Sequence, residues 1–129
     1  MLRLARRSPL WLAALIVWAA VLFFLSSRPA MGPTIDLDHF DKVLHFGYFF
    51  GGGFLCAGWM FLKNPAAPRW KAVLTTAIVA MAAVGFLDEW HQLHTPGRSG
   101  GDVWDWLADL LGGSAGAFSL RKLHRLLRI

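Results

Sequence analysis

Long apolar runs dominate the sequence and constrain its fold more than any other feature does. Three of them are about as long as the roughly 20 residues that a helix needs to cross a bilayer, and they cover residues 9–25, 42–62 and 70–90. The composition agrees, because 56% of the residues are apolar and only 16% are charged, whereas a soluble domain has about a quarter charged residues. This balance excludes a disordered tail, a coiled coil and an ordinary secreted domain.

A fourth run, residues 103–120, is less apolar because it contains Asp105 and Asp109. We still predict that it crosses the membrane, since its other residues are mostly apolar and its glycines supply surface for close helix packing. The first run follows a basic start, as a signal peptide does, but no small-x-small cleavage site comes after it, so we predict that it is retained. The sequence therefore predicts one domain, residues 1–129, that folds as an all-α integral membrane bundle of four helices.

The basic residues are distributed unevenly between the two sides of this bundle. Ten of them flank run ends that share one side, namely Arg3, Arg6, Arg7, Lys63, Arg69, Lys71, Arg121, Lys122, Arg125 and Arg128. The other side has only Arg28 and Arg98, with Lys42 at the mouth of the second run. Because Lys and Arg concentrate on the cytoplasmic side, we predict that both termini are cytoplasmic and that the protein is a multi-pass protein of the bacterial inner membrane. The net charge of +5 follows from this distribution, so we expect no nucleic-acid partner.

Small residues form stripes on two of the predicted helices. Gly47 and Gly51 to Gly53 lie on the second run, and Gly112 and Gly116 lie on the fourth. Such stripes allow close approach of helix backbones in lipid. Because these stripes suit packing within one chain as well as packing between copies, the sequence leaves the question of a homo-oligomer open.

Polar residues gather in three clusters at the run ends that the orientation assigns to the outer face. The clusters consist of Asp41, Lys42 and His45; of Asp88, Glu89 and Gln92, with Arg98 in the following loop; and of Asp102, Asp105 and Asp109. Helical spacing places the members of each cluster largely on one face. Three polar faces at one depth predict a small cavity that opens outward.

Asp88 and Glu89 are the strongest candidates for a functional role. They are adjacent acids near a helix C-terminus, where the helix dipole disfavours anions, and a charge at the bilayer centre costs about 2.5–3.5 kcal/mol. Stability alone does not explain such a pair. Two carboxylates with histidine nearby suit proton transfer, and Arg98 suits the binding of an anionic group.

Other polar residues have structural alternatives that stay open. Asp41 and Asp102 suit the caps of helix N-termini, Lys42 can extend to the membrane interface, and His45 suits a hydrogen bond between helices. A divalent metal is chemically compatible with Asp88, His91 and His45. The spacing signal for a metal is weak, however, so we assign neither a metal nor a cofactor.

Four ordered motifs make the chain resemble the VanZ-like family. They are DKVLHF at 41–46, DEWHQ at 88–92, PGR at 96–98 and DWLADLLG at 105–112, and they match the family pattern D-K-x-x-H-F, D-E-x-x-Q, P-G-R and D-x-x-x-N-x-x-G. The resemblance covers about residues 41–116. The one departure is Asp109, which stands where the family usually has Asn.

The resemblance implies a small multi-span membrane protein, and the namesake of the family is linked to teicoplanin resistance in bacteria. It also implies functional positions, which are Asp41, Lys42, His45, Asp88, Glu89, Gln92, Arg98, Asp105 and, at the departure, Asp109. The family supplies no reaction.

From residues and resemblance together, we expect the cluster to bind or modify an anionic cell-envelope component that is lipid-linked or a glycan. In the enzymatic version, Asp88 or Glu89 acts as general acid or base and His45 relays a proton. The expected binding residues are Asp41, Lys42, Gln92, Arg98, Asp105 and Asp109. The expected partners are membrane lipids and a lipid-linked envelope precursor.

Two alternatives belong to other functional classes. Intramembrane acids and histidine also mark ion pathways, so a small proton-coupled transporter or channel is the second hypothesis. An accessory membrane subunit is the third. The sequence is compatible with an enzyme and with a binding protein.

Overall fold

The residues that the structure describes fold into four α-helices. The computed structural model describes residues 5–28 and 38–126, with side chains in the second range from residue 40 onward. Within these ranges there is no strand, and the helices are α1 (Ser8–Ser26), α2 (Asp38–Phe61), α3 (Trp70–Leu93) and α4 (Val103–Leu123). The predicted all-α fold with four helices is confirmed. Three of the helices, α1, α2 and α3, are long and apolar enough to cross a membrane.

Several helices extend past the apolar runs that predicted them. α2 begins at Asp38 rather than at residue 42, and α3 continues to Leu93 through polar residues that follow Trp90. α4 likewise reaches Leu123 rather than residue 120. Hydropathy locates the apolar part of a helix, whereas its ends depend on backbone hydrogen bonds and caps.

α2 and α4 share the most extensive packing in the bundle. A Cβ atom added to Gly112 would overlap the carbonyl group of Phe46, and one added to Gly116 would overlap that of Phe50. Gly53 of α2 meets the Gly113 carbonyl in the same way. The two backbones therefore touch along a glycine seam, defined here by Gly53, Gly112, Gly113 and Gly116.

Two of the glycines expected to pack closely do not belong to this seam. A Cβ atom added to Gly47 or Gly51 would meet nothing within 4 Å among the described atoms. Spacing alone assigned them to the close-packed stripe, but Gly52 and Gly53 face the neighbouring helices instead. The expectation for Gly47 and Gly51 is thus wrong for packing within the chain.

α1 packs mainly on α2 and less on α3. The Trp18 indole N–H donates to the Tyr48 carbonyl oxygen at 3.0 Å, and the Tyr48 hydroxyl donates to the Trp18 carbonyl oxygen at 2.6 Å. At the other end of α1, Ser26 is its one buried residue. Large apolar side chains of α1 such as Ile16 and Phe23 are about 60% exposed, as expected for a surface that contacts lipid.

The bundle has one aromatic end and one acidic end. At the aromatic end, the rings of Phe61, Trp70 and His124 lie within 5.3 Å of one another by centroid distance, and Ser8 Oγ donates to the Trp59 carbonyl oxygen. The start of α1, the α2–α3 connection and the end of α4 therefore lie together. The acidic end lies opposite, where α1 and α3 finish and α2 and α4 begin.

Candidate functional site

The buried polar side chains of the described residues all lie at the acidic end. They are Ser26, Asp88, Glu89, Gln92, Asp105 and Asp109. Asp109 is fully buried and Glu89 is 5% exposed. These residues come from the second and third clusters that the sequence singled out, with Ser26 added from α1. His45 joins them from the first cluster, since its donor atom lies within 4.8 Å of those of Asp88, Glu89 and Asp109.

His45 and Asp109 form the deepest contact of the site. The imidazole Nδ1 of His45 lies 2.8 Å from Asp109 Oδ1, which joins α2 to α4 next to the glycine seam. The other ring nitrogen, Nε2, lies 3.8 Å from Asp41 Oδ1 and 3.8 Å from Asp105 Oδ2. His45 is therefore surrounded by carboxylates, and Asp41 is the exposed member of that set.

Lys42 faces the beginning of α4. Its ammonium lies 3.1 Å from Asp105 Oδ1 and 3.5 Å from Asp102 Oδ2. Asp102 also caps α4, because its Oδ1 accepts hydrogen bonds from the N–H groups of Trp104 and Asp105. Partial burial raises the pKa of Asp102, but these N–H groups and the Lys42 ammonium outweigh burial and lower that pKa below its ordinary value. Capping is the structural role of Asp102 that the sequence left open.

Asp88 is held by two neighbours. The Ser26 hydroxyl donates to Asp88 Oδ1, and the Gln92 side-chain amide donates to Oδ2 at 2.9 Å. The Gln92 contact follows from the spacing of one helical turn. Ser26 was missed by the sequence analysis, since a neutral hydroxyl at the end of an apolar run has no distinctive signal.

Glu89 is tied to the loop between α3 and α4. Its Oε2 accepts a hydrogen bond from the Asp102 N–H at 3.1 Å, and its carbonyl oxygen accepts one from Gly101. Gly97 and Gly101 have φ angles of 78° and 72°, a backbone region that favours glycine. The loop therefore folds back over the end of α3 and covers Glu89.

Two carboxylate oxygens in the cluster are buried without a partner. Glu89 Oε1 and Asp109 Oδ2 have no hydrogen bond among the described residues. Buried carboxylate oxygens are normally paired, because an unpaired polar atom is costly away from water.

A cavity of about 340 Å³ opens beside the cluster, between α1, α2 and α3. Its lining consists of Leu22, Leu25, Ser26, Asp41, Leu44, His45, Tyr48, Phe49, Asp88, Gln92 and Arg98. One part of the lining is apolar and the other is polar. Within residues 5–28 and 38–126, no hydrogen bond or ion pair of the Arg98 guanidinium is found.

The family model described as VanZ/LLP1 matches residues 11–126, which is nearly the whole chain. The protein belongs to the VanZ/LLP1 family. This confirms the resemblance drawn from the motifs and extends it from residues 41–116 to include most of α1. No significant match was found among curated proteins or among solved structures. The family match and the apolar helices together indicate a membrane protein.

The two histidines near the end of α3 lie outside the cluster of this VanZ/LLP1 protein. His91 Nε2 lies 2.9 Å from Ser27 Oγ, and its ring stacks on Phe23 of α1. His94 Nδ1 lies 2.8 Å from the Trp90 carbonyl oxygen. His91 is therefore not grouped with Asp88 and His45, which corrects the metal set considered from the sequence.

Two other groups in the VanZ/LLP1 protein bring metal-ligating side chains together. His45, Asp88, Glu89 and Asp109 each offer one donor atom, and these atoms lie within 4.8 Å of one another. Asp41, His45 and Asp105 form the second group at the same distance limit. His45 belongs to both groups.

Proposed function

We propose that this protein binds an anionic, lipid-linked or glycan component of the bacterial cell envelope at the outer face of the cytoplasmic membrane. The cavity beside the acidic end carries the proposal, because it combines apolar walls from α1 and α2 with polar groups from α2, α3 and the following loop. A ligand with an apolar chain and a polar headgroup matches such a lining.

Arg98 is the proposed contact for the anionic group. It lines the cavity, and its planar guanidinium suits bidentate binding of a phosphate or carboxylate. The sequence also suggested Lys42 for this role. Since Lys42 already pairs with Asp105 and Asp102, we assign it to holding α2 against α4 instead.

Asp41, Asp88 and Gln92 suit contacts to ligand hydroxyl or amide groups. In an enzymatic version of the proposal, Asp88 or Glu89 acts as general acid or base and the His45–Asp109 pair relays a proton; of the two acids, Asp88 is the one that lines the cavity. A histidine fixed by a carboxylate is a common general base, because the carboxylate orients the ring.

The proton-coupled transporter receives no comparable support. Among the described residues, the buried side chains between the acidic cluster and the aromatic end are apolar, and they include Phe49, Ala77, Met81 and Leu120. A proton path needs polar groups or water across that depth.

The orientation can be tested by cysteine labelling in intact cells. The native Cys56 is buried, so single cysteines placed at Ser99 and Asn64 report on the two loops. We expect a membrane-impermeant maleimide to label Ser99→Cys from outside and Asn64→Cys only after permeabilisation. The opposite pattern contradicts an outward-facing site. Arg125→Cys extends the test to α4, and we expect it to behave like Asn64→Cys.

Ligand binding can be tested by native mass spectrometry of the protein in nanodiscs made from bacterial membrane extract. We expect an amphiphilic anionic molecule to remain bound to the wild type and to be lost from Arg98→Gln. Arg69→Gln is the matched control, since Arg69 is an exposed loop arginine at the start of α3. Equal retention by both variants contradicts the role of Arg98.

The link to teicoplanin can be tested by susceptibility of bacteria that express the wild type or Glu89→Gln at equal membrane levels. We expect resistance from the wild type alone. Resistance from both shows that the Glu89 carboxylate is not needed for that phenotype. Resistance from neither shows that this protein does not share the teicoplanin-resistance activity of the family's namesake.

A further inference from the structure

We propose that His45, Asp88, Glu89 and Asp109 form a binding site for one divalent cation. Their donor atoms already lie within 4.8 Å of one another. With metal–ligand bonds of about 2.0–2.2 Å, the donors of one ion lie about 2.8–4.4 Å apart. His45 Nδ1 and Asp109 Oδ1 lie 2.8 Å apart and share a hydrogen bond in this structure, so an ion bound by both atoms would take the place of the shared proton. Shifts of about half an ångström complete the set.

The unpartnered oxygens supply an independent reason for a cation. Glu89 Oε1 and Asp109 Oδ2 lack a hydrogen bond among the described residues, although Glu89 is 5% and Asp109 0% exposed. Both residues belong to the group of four. A cation between them would compensate both oxygens at once, as buried carboxylates require.

The surrounding hydrogen bonds resemble those that hold metal ligands in place. Asp88 accepts from Ser26 and Gln92, and Glu89 accepts from the Asp102 N–H. Such outer contacts orient the ligands of an ion and are a regular part of metal sites. Asp88 and Glu89 therefore each have an outer hydrogen-bond partner, and His45 Nε2 lies 3.8 Å from Asp105 Oδ2.

The donor set indicates the class of ion. Three carboxylates and one imidazole suit a hard or borderline ion such as Mn²⁺ or Zn²⁺, and the absence of thiolate ligands disfavours soft ions. The site does not depend on the proposed envelope ligand. A cation there would nevertheless add positive charge beside the cavity and favour an anionic headgroup.

The test uses the purified full chain in nanodiscs of zwitterionic lipid, after removal of metals by a chelator. Mn²⁺ is titrated by electron paramagnetic resonance and Zn²⁺ by calorimetry. We expect one ion per chain and a loss of affinity of about 10-fold or more in Glu89→Gln and in Asp88→Asn. Asp41→Asn is the matched control, because Asp41 belongs only to the alternative group and is exposed.

Three results would overturn the proposal. One is the absence of saturable Mn²⁺ and Zn²⁺ binding by the wild type. Another is a loss of affinity in Asp41→Asn with none in Glu89→Gln, which assigns the ion to Asp41, His45 and Asp105. The third concerns the wild type alone and is independent of variant folding. Spin-echo spectra of bound Mn²⁺ should show coupling to one imidazole nitrogen, and its absence excludes His45. Native mass spectrometry with chelator present measures lipid binding in the absence of the ion. It therefore distinguishes a failure of the metal site from a failure of the proposed lipid binding.

Discussion

The Nδ1 atom of His45 lies 2.8 Å from Oδ1 of Asp109 and joins α2 to α4 at the most buried point of the acidic end. Asp109 is fully buried, so its carboxylate depends on protein partners rather than on water. The backbone contact between Gly112 and Phe46 lies close by, because Phe46 directly follows His45 and Gly112 is three residues after Asp109. A substitution of His45 or Asp109 should therefore lower the free energy of unfolding of the bundle.

A double-mutant cycle with His45→Ala and Asp109→Ala measures that contribution. We expect a coupling free energy of about 1.5–3 kcal/mol, because hydrogen bonds to charged groups fall in that range. Asp109→Asn should lose less stability than Asp109→Ala, since its amide oxygen can still accept from the imidazole. Unfolding in mixed micelles with chelator present gives the values. A coupling near zero contradicts a direct bond.

Ser26→Ala should destabilise the protein by about 1–2 kcal/mol, because it removes the hydroxyl that donates to buried Asp88. Ser27→Ala is the matched control. Ser27 is exposed, and its hydroxyl contacts the Phe23 carbonyl oxygen and His91. We expect little change from it in thermal unfolding. Equal effects of the two variants would show that Ser26 does not act through Asp88.

Gly116→Ala should destabilise the bundle by about 1–3 kcal/mol, since its Cβ would overlap the Phe50 carbonyl group and force the backbones apart. Gly51→Ala makes the same chemical change on the partner helix where there is open space. It should be neutral or slightly stabilising, because alanine favours helix. Thermal unfolding of the two variants in the same detergent decides the matter. A comparable loss from Gly51→Ala would indicate packing between copies.

Asp102→Asn should show a pH-dependent loss of stability. The pKa of Asp102 is lowered in the folded protein, so its charge stabilises the fold above the ordinary aspartate pKa and stops doing so as the carboxyl protonates. The wild type should therefore exceed the variant in unfolding free energy at pH 7. The difference should shrink as the pH falls from about 5 towards 3. A difference that is constant over this range contradicts a contribution from the charge.

Helix content and the position of the polar residues could be predicted from the sequence for a simple reason. Apolar runs of membrane length identify helices, and short connections force alternate helix ends to meet. Asp88, Glu89 and Asp109 therefore meet His45. Spacing within a single helix also predicted the Asp88–Gln92 contact.

The rest depends on which way each helix is rotated about its axis. Gly51 and Gly52 are adjacent, yet only Gly52 faces other helices closely. His91 lies one turn from Asp88 but turns toward Ser27, the residue that follows α1. Rotation of a helix follows from packing among all four, so spacing along one helix leaves it undetermined. Ser26 is the clearest case, because its contact with Asp88 depends on a partner in another helix.

The glycine seam has a mechanical consequence for the cavity. With backbone against backbone, α2 and α4 cannot slide or separate without breaking contacts that no side-chain rotation can replace. α1 is joined to α2 by side chains, through the hydrogen bonds of Trp18 and Tyr48 and the packing of Trp18 and Trp11 over Gly52 and Gly58. One wall of the cavity, α2, is thus fixed by backbone contact, whereas the other, α1, is positioned by side-chain contacts.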